Sequence, residues 1–175
     1  PREVDRSDDW IPQVVAGADI EVGYSDTDSV IFAAEYFFND AGYDDRADLY
    51  PWLAFVGALR PLYTGRHYVA ANILLLAPGD WNDWTFALSG LGNLSDRSVL
   101  GRADVGVQVL TDLRFNAYTS VHGGQRGGEL RFGFDLPSVD LPPISAPGAD
   151  LSALESGLSV PAPIVDVGVG LTLRL

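Results

Sequence analysis

The sequence predicts an all-β protein, and it favours a transmembrane antiparallel β-barrel over a water-soluble β-sandwich. Apolar residues recur at every second position over long segments, and the intervening positions carry small, polar and charged residues. These segments run about ten residues or more, close to the ~9 to 11 that a tilted strand needs to cross a bilayer, whereas strands of soluble proteins are usually about 5 to 6 residues long. Aromatic residues lie near the ends of the apolar faces, where interfacial girdles belong: Trp10, Tyr24, Phe38, Trp84 and Phe115.

The last segment, residues 165–175, shows the alternation most clearly. Val165, Val167 and Val169 share one face of a strand, while Asp166 and Gly168 point to the other. Alternation of the same kind predicts strands near 12–24, 29–39, 66–77, 84–93, 98–110, 113–122, 129–136 and 164–175. A weaker alternation runs from 151 to 160, within a Pro-rich outer loop predicted for residues 137–163.

Composition excludes several classes of function. The 175 residues include 24 acidic and 11 basic ones, all Arg, for a net charge of -13, so a nucleic-acid partner is excluded for want of a basic surface. Because there is no Cys, disulfides and thiolate chemistry are also excluded. No apolar run approaches the ~18 residues of a membrane helix, so the membrane is crossed by strands if it is crossed at all.

The lengths of the connections predict an orientation. Bacterial barrels have short periplasmic turns and long outer loops. Connections near 40–65, 93–97 and 123–164 then lie outside, and the tight ones near 25–28, 78–83 and 111–112 lie inside. The crossings number seven, or nine with two weaker segments, and an odd number predicts the C-terminal part of a larger barrel that other strands or chains complete. The alternative is a closed eight-stranded barrel.

Several short motifs carry a resemblance to a known group of proteins. They are residues 35–39 with Gly42 and Tyr43, residues 65–68, 93–96 and 126–129, and the terminal strand. With these motifs the chain resembles the C-terminal region of large, porin-like outer-membrane barrels of Gram-negative bacteria. The resemblance implies a location in the outer membrane, with its lipids and the barrel-assembly machinery as partners. It also implies a C-terminal assembly signal at Gly170, Leu173 and Leu175, in which Leu175 stands where the usual signal has an aromatic residue.

Charged residues at mid-strand positions are the candidates for selectivity in a polar lumen. By position in the alternation, the predicted lumen residues are Glu35, Arg66, Tyr68, Arg102, Asp104, Arg114 and Asp166. Facing rows of opposite charge would create a transverse field that selects solutes. The alternative is that these charges pair with each other on neighbouring strands.

Two loop segments leave alternatives open. Asp40, Asp44, Asp45 and Asp48 form an acidic loop that is either a weak candidate for a calcium ion or simply a solvated outer loop. Residues 50–63 are too apolar for a free loop, and they either constrict the lumen, pack on a neighbouring chain or form a further hairpin strand.

Enzymatic chemistry is not expected. Ser120 and His122 share a strand face, but their backbones are about 6 to 7 Å apart, too loose for a nucleophile and its base. Neither a cofactor nor a metal is predicted. The first functional hypothesis is an outer-membrane channel for small polar solutes or ions, the second a structural barrel that anchors a surface complex, and the third a soluble all-β binding domain.

Overall fold

The computed structural model describes residues 10–44, 64–136 and 157–173. Strands make up almost all of the regular structure in these ranges: β1 (Gln13–Gly23), β2 (Ser29–Asn39), β3 (His67–Leu76), β4 (Trp84–Asn93), β5 (Ser98–Leu110), β6 (Leu113–Gly124), β7 (Phe134–Leu136), β8 (Leu158–Val160) and β9 (Val165–Leu173). A single turn of 3-10 helix, Glu129–Arg131, lies between β6 and β7. Within the described ranges, no helix has the length and apolar character needed to cross a membrane.

Seven strands form one antiparallel sheet in the order β1-β2-β3-β4-β5-β6-β9. The first six are neighbours both in the chain and in space, so each connection joins adjacent strands. β7 and β8 pair only with each other, as a separate two-stranded ribbon. The prediction of an all-β antiparallel fold is confirmed, while closure of the sheet into a barrel stays a prediction.

The strand predicted at 129–136 is wrong in its first half. Glu129–Arg131 form the 3-10 turn, and only Phe134–Leu136 are extended, in the ribbon rather than the sheet. The apparent alternation has another origin: Leu130 is buried, while the Phe132 and Phe134 rings pack edge to face at 5.7 Å. The predicted Pro-rich loop is described only from residue 157 onward, where it contains β8, and residues 50–63 lie outside the described ranges.

The cross-strand register gives the sheet two chemically distinct faces. Directly paired residues point to the same side, so Val14 opposite Phe38, Val69 opposite Gly92 and Val105 opposite Ala117 define what we call the apolar face. The other side, the polar face, carries every charged residue of the seven strands: Asp19, Glu21, Glu35, Arg102, Asp104, Arg114 and Asp166.

Burial in this sheet is the reverse of that in an ordinary soluble domain. Most of the buried side chains in the described ranges are polar: Asn39, Thr64, Asn93, Asp96, Ser98 and Ser120. On the apolar face, by contrast, Val167 and Val169 are 75% and 78% exposed. Large apolar side chains normally make up the buried core. An exposed apolar surface of this extent indicates a non-aqueous neighbour.

Candidate pore face and the segment docked on it

The charges of the polar face are segregated by strand. Asp19 and Glu21 lie on β1 and Glu35 on β2, whereas β3 and β4 carry no charged residue. Arg102 and Arg114 lie beyond them on β5 and β6. The acidic strands β1 and β2 are therefore separated by the uncharged β3 and β4 from a part of mixed charge, in which β5 and β9 also carry Asp104 and Asp166.

Arg102 is neutralised by its neighbour on the same strand. Its Nε and Nη2 donate to both carboxylate oxygens of Asp104 at 2.6 to 3.0 Å, and its guanidinium lies 3.9 Å from the centre of the Tyr118 ring. Such a chelated pair has little net field at a distance. Of the predicted lumen charges, Arg102 and Asp104 therefore pair with each other, along β5 rather than across strands.

Arg114 has no carboxylate partner among the described contacts. Its Nε donates to Asn116 Oδ1 at 3.1 Å, and its guanidinium lies over Gly106, where a Cβ would stand 2.5 Å from Nη2. Because Gly106 has no side chain, the Arg114 guanidinium can lie against the polar face of the sheet at this position. Arg114 therefore keeps its full charge facing the polar side.

His122 joins three parts of the chain. Its Nε2 is 2.6 Å from Asp166 Oδ2 on β9, and its Nδ1 is 2.5 Å from the carbonyl oxygen of Leu130 in the 3-10 turn. Both ring nitrogens are therefore engaged away from Ser120, which is itself buried. The arrangement attaches the turn to β6 and β9, and it does not form a nucleophile–base pair.

A buried polar network holds the turn against the sheet. We call Tyr68, Asn93, Asp96, Ser98 and Glu129 the polar hub. Asp96 accepts hydrogen bonds from the Ser98 backbone N–H at 2.9 Å, from Ser98 Oγ at 2.5 Å and from the Glu129 N–H at 2.7 Å. Glu129 Oε2 in turn accepts from Tyr68 Oη at 2.6 Å and Asn93 Nδ2 at 2.8 Å. Asp96 is 0% exposed and Tyr68 3%, so water is excluded from the hub.

The consequence is that the 3-10 turn folds back onto the polar face at the end where the long connections meet, and we call residues 125–136, which contain this turn, the docked segment. Leu130 is buried there against β4, β5 and β6. Further bonds secure the segment: Gln125 N–H to the Arg97 carbonyl at 3.0 Å, and Arg126 Nη2 to Asp135 Oδ2 at 2.8 Å. The docked segment is thus a described element that occupies part of the polar side, and residues 50–63 lie outside the described ranges.

The predicted lumen residues divide into three groups. Glu35, Arg102, Asp104, Arg114 and Asp166 share the polar face. Tyr68 shares it too, but it is 3% exposed and its hydroxyl donates to Glu129 of the docked segment. Arg66 precedes β3 and pairs with Asp44 at 2.9 Å, at the rim rather than on the wall.

Sequence reasoning missed the hub as a unit. Segment 93–96 forms a turn closed by its own side chains: Asn93 Oδ1 accepts from the Ser95 N–H at 3.0 Å, and Asp96 Oδ1 from the Ser98 N–H. An Asn and an Asp that bond to nearby backbone donors are a recognisable turn signature. The partner Glu129, however, lies 33 residues from Asp96, too far for any local pattern to find.

Aromatic side chains cluster at both ends of the apolar face. At the tight-turn end Trp84 and Phe86 stack at 5.8 Å, with the Trp81 ring 5.4 Å from Trp84. At the other end the His67 ring lies 5.4 Å from Phe38 and 6.1 Å from Tyr36. These two bands resemble the aromatic girdles that flank the apolar belt of membrane barrels.

The structure describes only some of the remaining candidate residues. Of the acidic loop, Asp40 and Asp44 are described, while Asp45 and Asp48 lie outside the described ranges. No group of three or more metal-ligating side chains occurs within those ranges. In the predicted assembly signal, Gly170 lies on the polar face and Leu173 on the apolar face, and Leu175 lies outside the description.

Comparison with known proteins gives no match: no protein-family model, curated protein or solved structure corresponds to this chain. The resemblance to porin-like barrels therefore stays a prediction. Function has to be argued from the two faces of the sheet and from the hub.

Proposed function

We propose that this sheet is part of a transmembrane β-barrel of the bacterial outer membrane, and that its polar face lines a channel for small polar solutes or ions. The observation that carries the proposal is the segregation of charge: every charged residue of the seven strands lies on one face, and the opposite face is apolar and exposed. A charged side chain at the lipid midplane of a barrel costs about 2 to 4 kcal/mol. A lipid environment is therefore the one that suits both faces.

The dimensions agree with such a setting. Val30 and Phe38 mark the two ends of the apolar face on β2, and the eight residue steps between them span about 27 Å along the strand. A tilt of about 40° reduces this height to about 21 Å, near the ~25 Å apolar band of outer-membrane barrels. The aromatic clusters lie at these two levels.

The edge strands β1 and β9 are the positions at which further strands would close the sheet into a barrel. In the described sheet each of these strands pairs on one side only. An unpaired edge in hydrocarbon would leave backbone N–H and C=O groups without partners, which a membrane does not tolerate. Closure through further strands, of this chain or another, satisfies those groups.

A channel is favoured over a purely structural barrel by the size of the side chains on the polar face. Small residues line much of the wall, including Gly17, Ala33, Ala70, Ala87 and Gly170. A barrel whose lumen is filled by its own side chains needs large ones there. The structural alternative, a barrel that anchors a surface complex, draws its support from the docked segment, which occupies part of the polar face.

Planar-bilayer recording of the natively extracted protein tests the proposal. We expect a steady open conductance, and we expect the double variant Arg102→Ser/Arg114→Ser to shift the reversal potential toward cation selectivity. Arg126→Ser, which removes an exposed Arg of the docked segment, is the matched control and should change the potential less. Absence of conductance would favour the structural barrel, and an unchanged reversal potential would refute the role of the two Arg residues.

Orientation is tested separately with single cysteines, since the chain has none of its own. A Cys at Gln125, at the long-connection end, should react with a membrane-impermeant thiol reagent on intact cells. A Cys at Asp112, in the tight turn between β5 and β6, should react only after the outer membrane is opened. The reverse pattern would invert the proposed orientation.

A further inference from the structure

Two concave pockets on the polar face meet at Glu35. One, of about 390 Å³, has Ala33, Asn72, Ser89 and Arg102 in its lining, together with Leu91 and Leu100. The other, of about 330 Å³, is lined by Val15, Phe37, Tyr68 and Leu91. Glu35, Ala70 and Leu91 line both. A single carboxylate thus stands between a compartment that includes polar side chains and an apolar compartment.

The Glu35 carboxylate has no hydrogen bond or ion pair with any residue that the structure describes. It lies opposite Gly17 in the register, and its Cγ is 2.7 Å from where a Cβ of that glycine would stand. Gly17 therefore provides the space that the Glu35 side chain occupies. Asp19, two residues further along β1, is a diagonal neighbour on the same face and adds to the negative potential.

An aromatic wall borders the carboxylate on the apolar side. The rings of Phe37 and Tyr68 stack at 5.8 Å between centroids with 27° between their planes. Tyr68 cannot easily turn away, because it donates to Glu129 at 2.6 Å and accepts from the Gly65 N–H at 2.6 Å. A fixed aromatic pair beside a carboxylate is suited to a cation that carries an apolar group.

The charge balance of the pockets opposes anions. Arg102 is the basic residue lining them, and Asp104 already chelates it. An anion would have to displace that bond, whereas a cation finds Glu35 unpaired. We propose that the Glu35 pockets form a binding site for an organic cation, an ammonium or guanidinium with an apolar or aromatic substituent. The proposal rests on the polar face being the water-filled side of the proposed barrel, and it names the solute class that this face prefers.

Binding of benzyltrimethylammonium to the purified protein in detergent tests the site. Benzenesulfonate serves as the anionic probe and benzyl alcohol as the neutral one, with affinity measured by calorimetry. Of the three probes, we expect only benzyltrimethylammonium to bind. Glu35→Gln should weaken it at least tenfold, because only the charge is removed from an exposed side chain. Glu21→Gln, on the same face but outside the pockets, is the matched control and should leave the affinity within about twofold.

A second variant probes the apolar compartment. Phe37→Leu should weaken benzyltrimethylammonium more than tetramethylammonium, since it removes the ring face and keeps the carboxylate. The proposed site would be refuted if benzyltrimethylammonium, benzenesulfonate and benzyl alcohol bound with equal affinity. An unchanged affinity of the Glu35→Gln variant for benzyltrimethylammonium would refute it as well. Binding in micelles does not depend on conductance. Binding of benzyltrimethylammonium without any conductance in the bilayer would therefore refute the channel but not the site. Conductance without binding would refute the site but not the channel.

Discussion

Removal of the Asp96 carboxylate is the sharpest test of the polar hub. Asp96→Ala leaves the backbone N–H groups of Ser98 and Glu129 without this acceptor, along with the Ser98 hydroxyl and the Asn93 side-chain amide. A buried donor without a partner costs about 1 to 3 kcal/mol, so the two backbone groups together cost about 2 to 6 kcal/mol. The Ser98 hydroxyl is free to rotate, so we assign no free-energy cost to the loss of its hydrogen bond.

The loss should fall on the docked segment before it reaches the sheet. The hub links this segment to β3, β4 and β5, whereas the strands keep their own ladder of backbone hydrogen bonds. Release of the segment should expose the peptide bond after Arg131, which is half-buried in the docked segment. Brief trypsin digestion of the folded protein, followed by mass spectrometry, should therefore show cleavage there at least tenfold faster than in the parent protein.

Asp135→Ala is the control, since it removes an Asp from an ion pair whose two side chains are both 57% exposed. Exposed pairs contribute about 0 to 1 kcal/mol. Equal cleavage rates in the Asp96 and Asp135 variants would refute the reasoning, because burial would then confer no special cost. Unchanged cleavage in both would show that the hub does not hold the segment.

Two further predictions use neighbouring or matched positions. Val169→Arg, at the centre of β9 on the apolar face, should reduce the stability of the protein folded in lipid vesicles by about 2 to 4 kcal/mol. Gly170→Arg places its side chain in open space on the polar face and should change this stability by less than about 1 kcal/mol. Urea titrations of tryptophan fluorescence in vesicles measure both, and equal losses would refute lipid contact. Gly65→Ala should lower the urea midpoint, because the new Cβ would stand 2.4 Å from Asn93 Oδ1, while Gly90→Ala, with nothing within 4 Å, should leave it unchanged. A Gly65→Ala protein as stable as the parent would show that the loop adapts to a methyl group at this contact.

Strand positions were predictable because a strand repeats its environment every two residues. The predicted bounds of 29–39, 84–93 and 98–110 are those of β2, β4 and β5, and Val165, Val167 and Val169 share the apolar face as predicted. This succeeds because a one-residue slip would move every side chain to the opposite face, so the pattern itself specifies the register.

Segment 129–136 shows where this reasoning fails. Leu130, Phe132 and Phe134 alternate as they would in a strand, but Leu130 is buried against the sheet and the two Phe rings pack on each other. Periodicity records only that apolar groups recur. It does not record which surface covers them, so a folded-back segment and a two-faced strand give the same pattern.

By itself, the sequence determined the two faces of the sheet, the strands that carry them and the candidates for a charged wall, since these follow from local spacing. Only the tertiary structure decided which candidates act together. Glu129 meets Asp96 and Tyr68, Arg102 is cancelled by Asp104, and Glu35 is left unpaired between two pockets. The physical reason is that partners far apart in the chain, and the space between side chains, depend on how the strands and the returning segment pack, which no local pattern encodes.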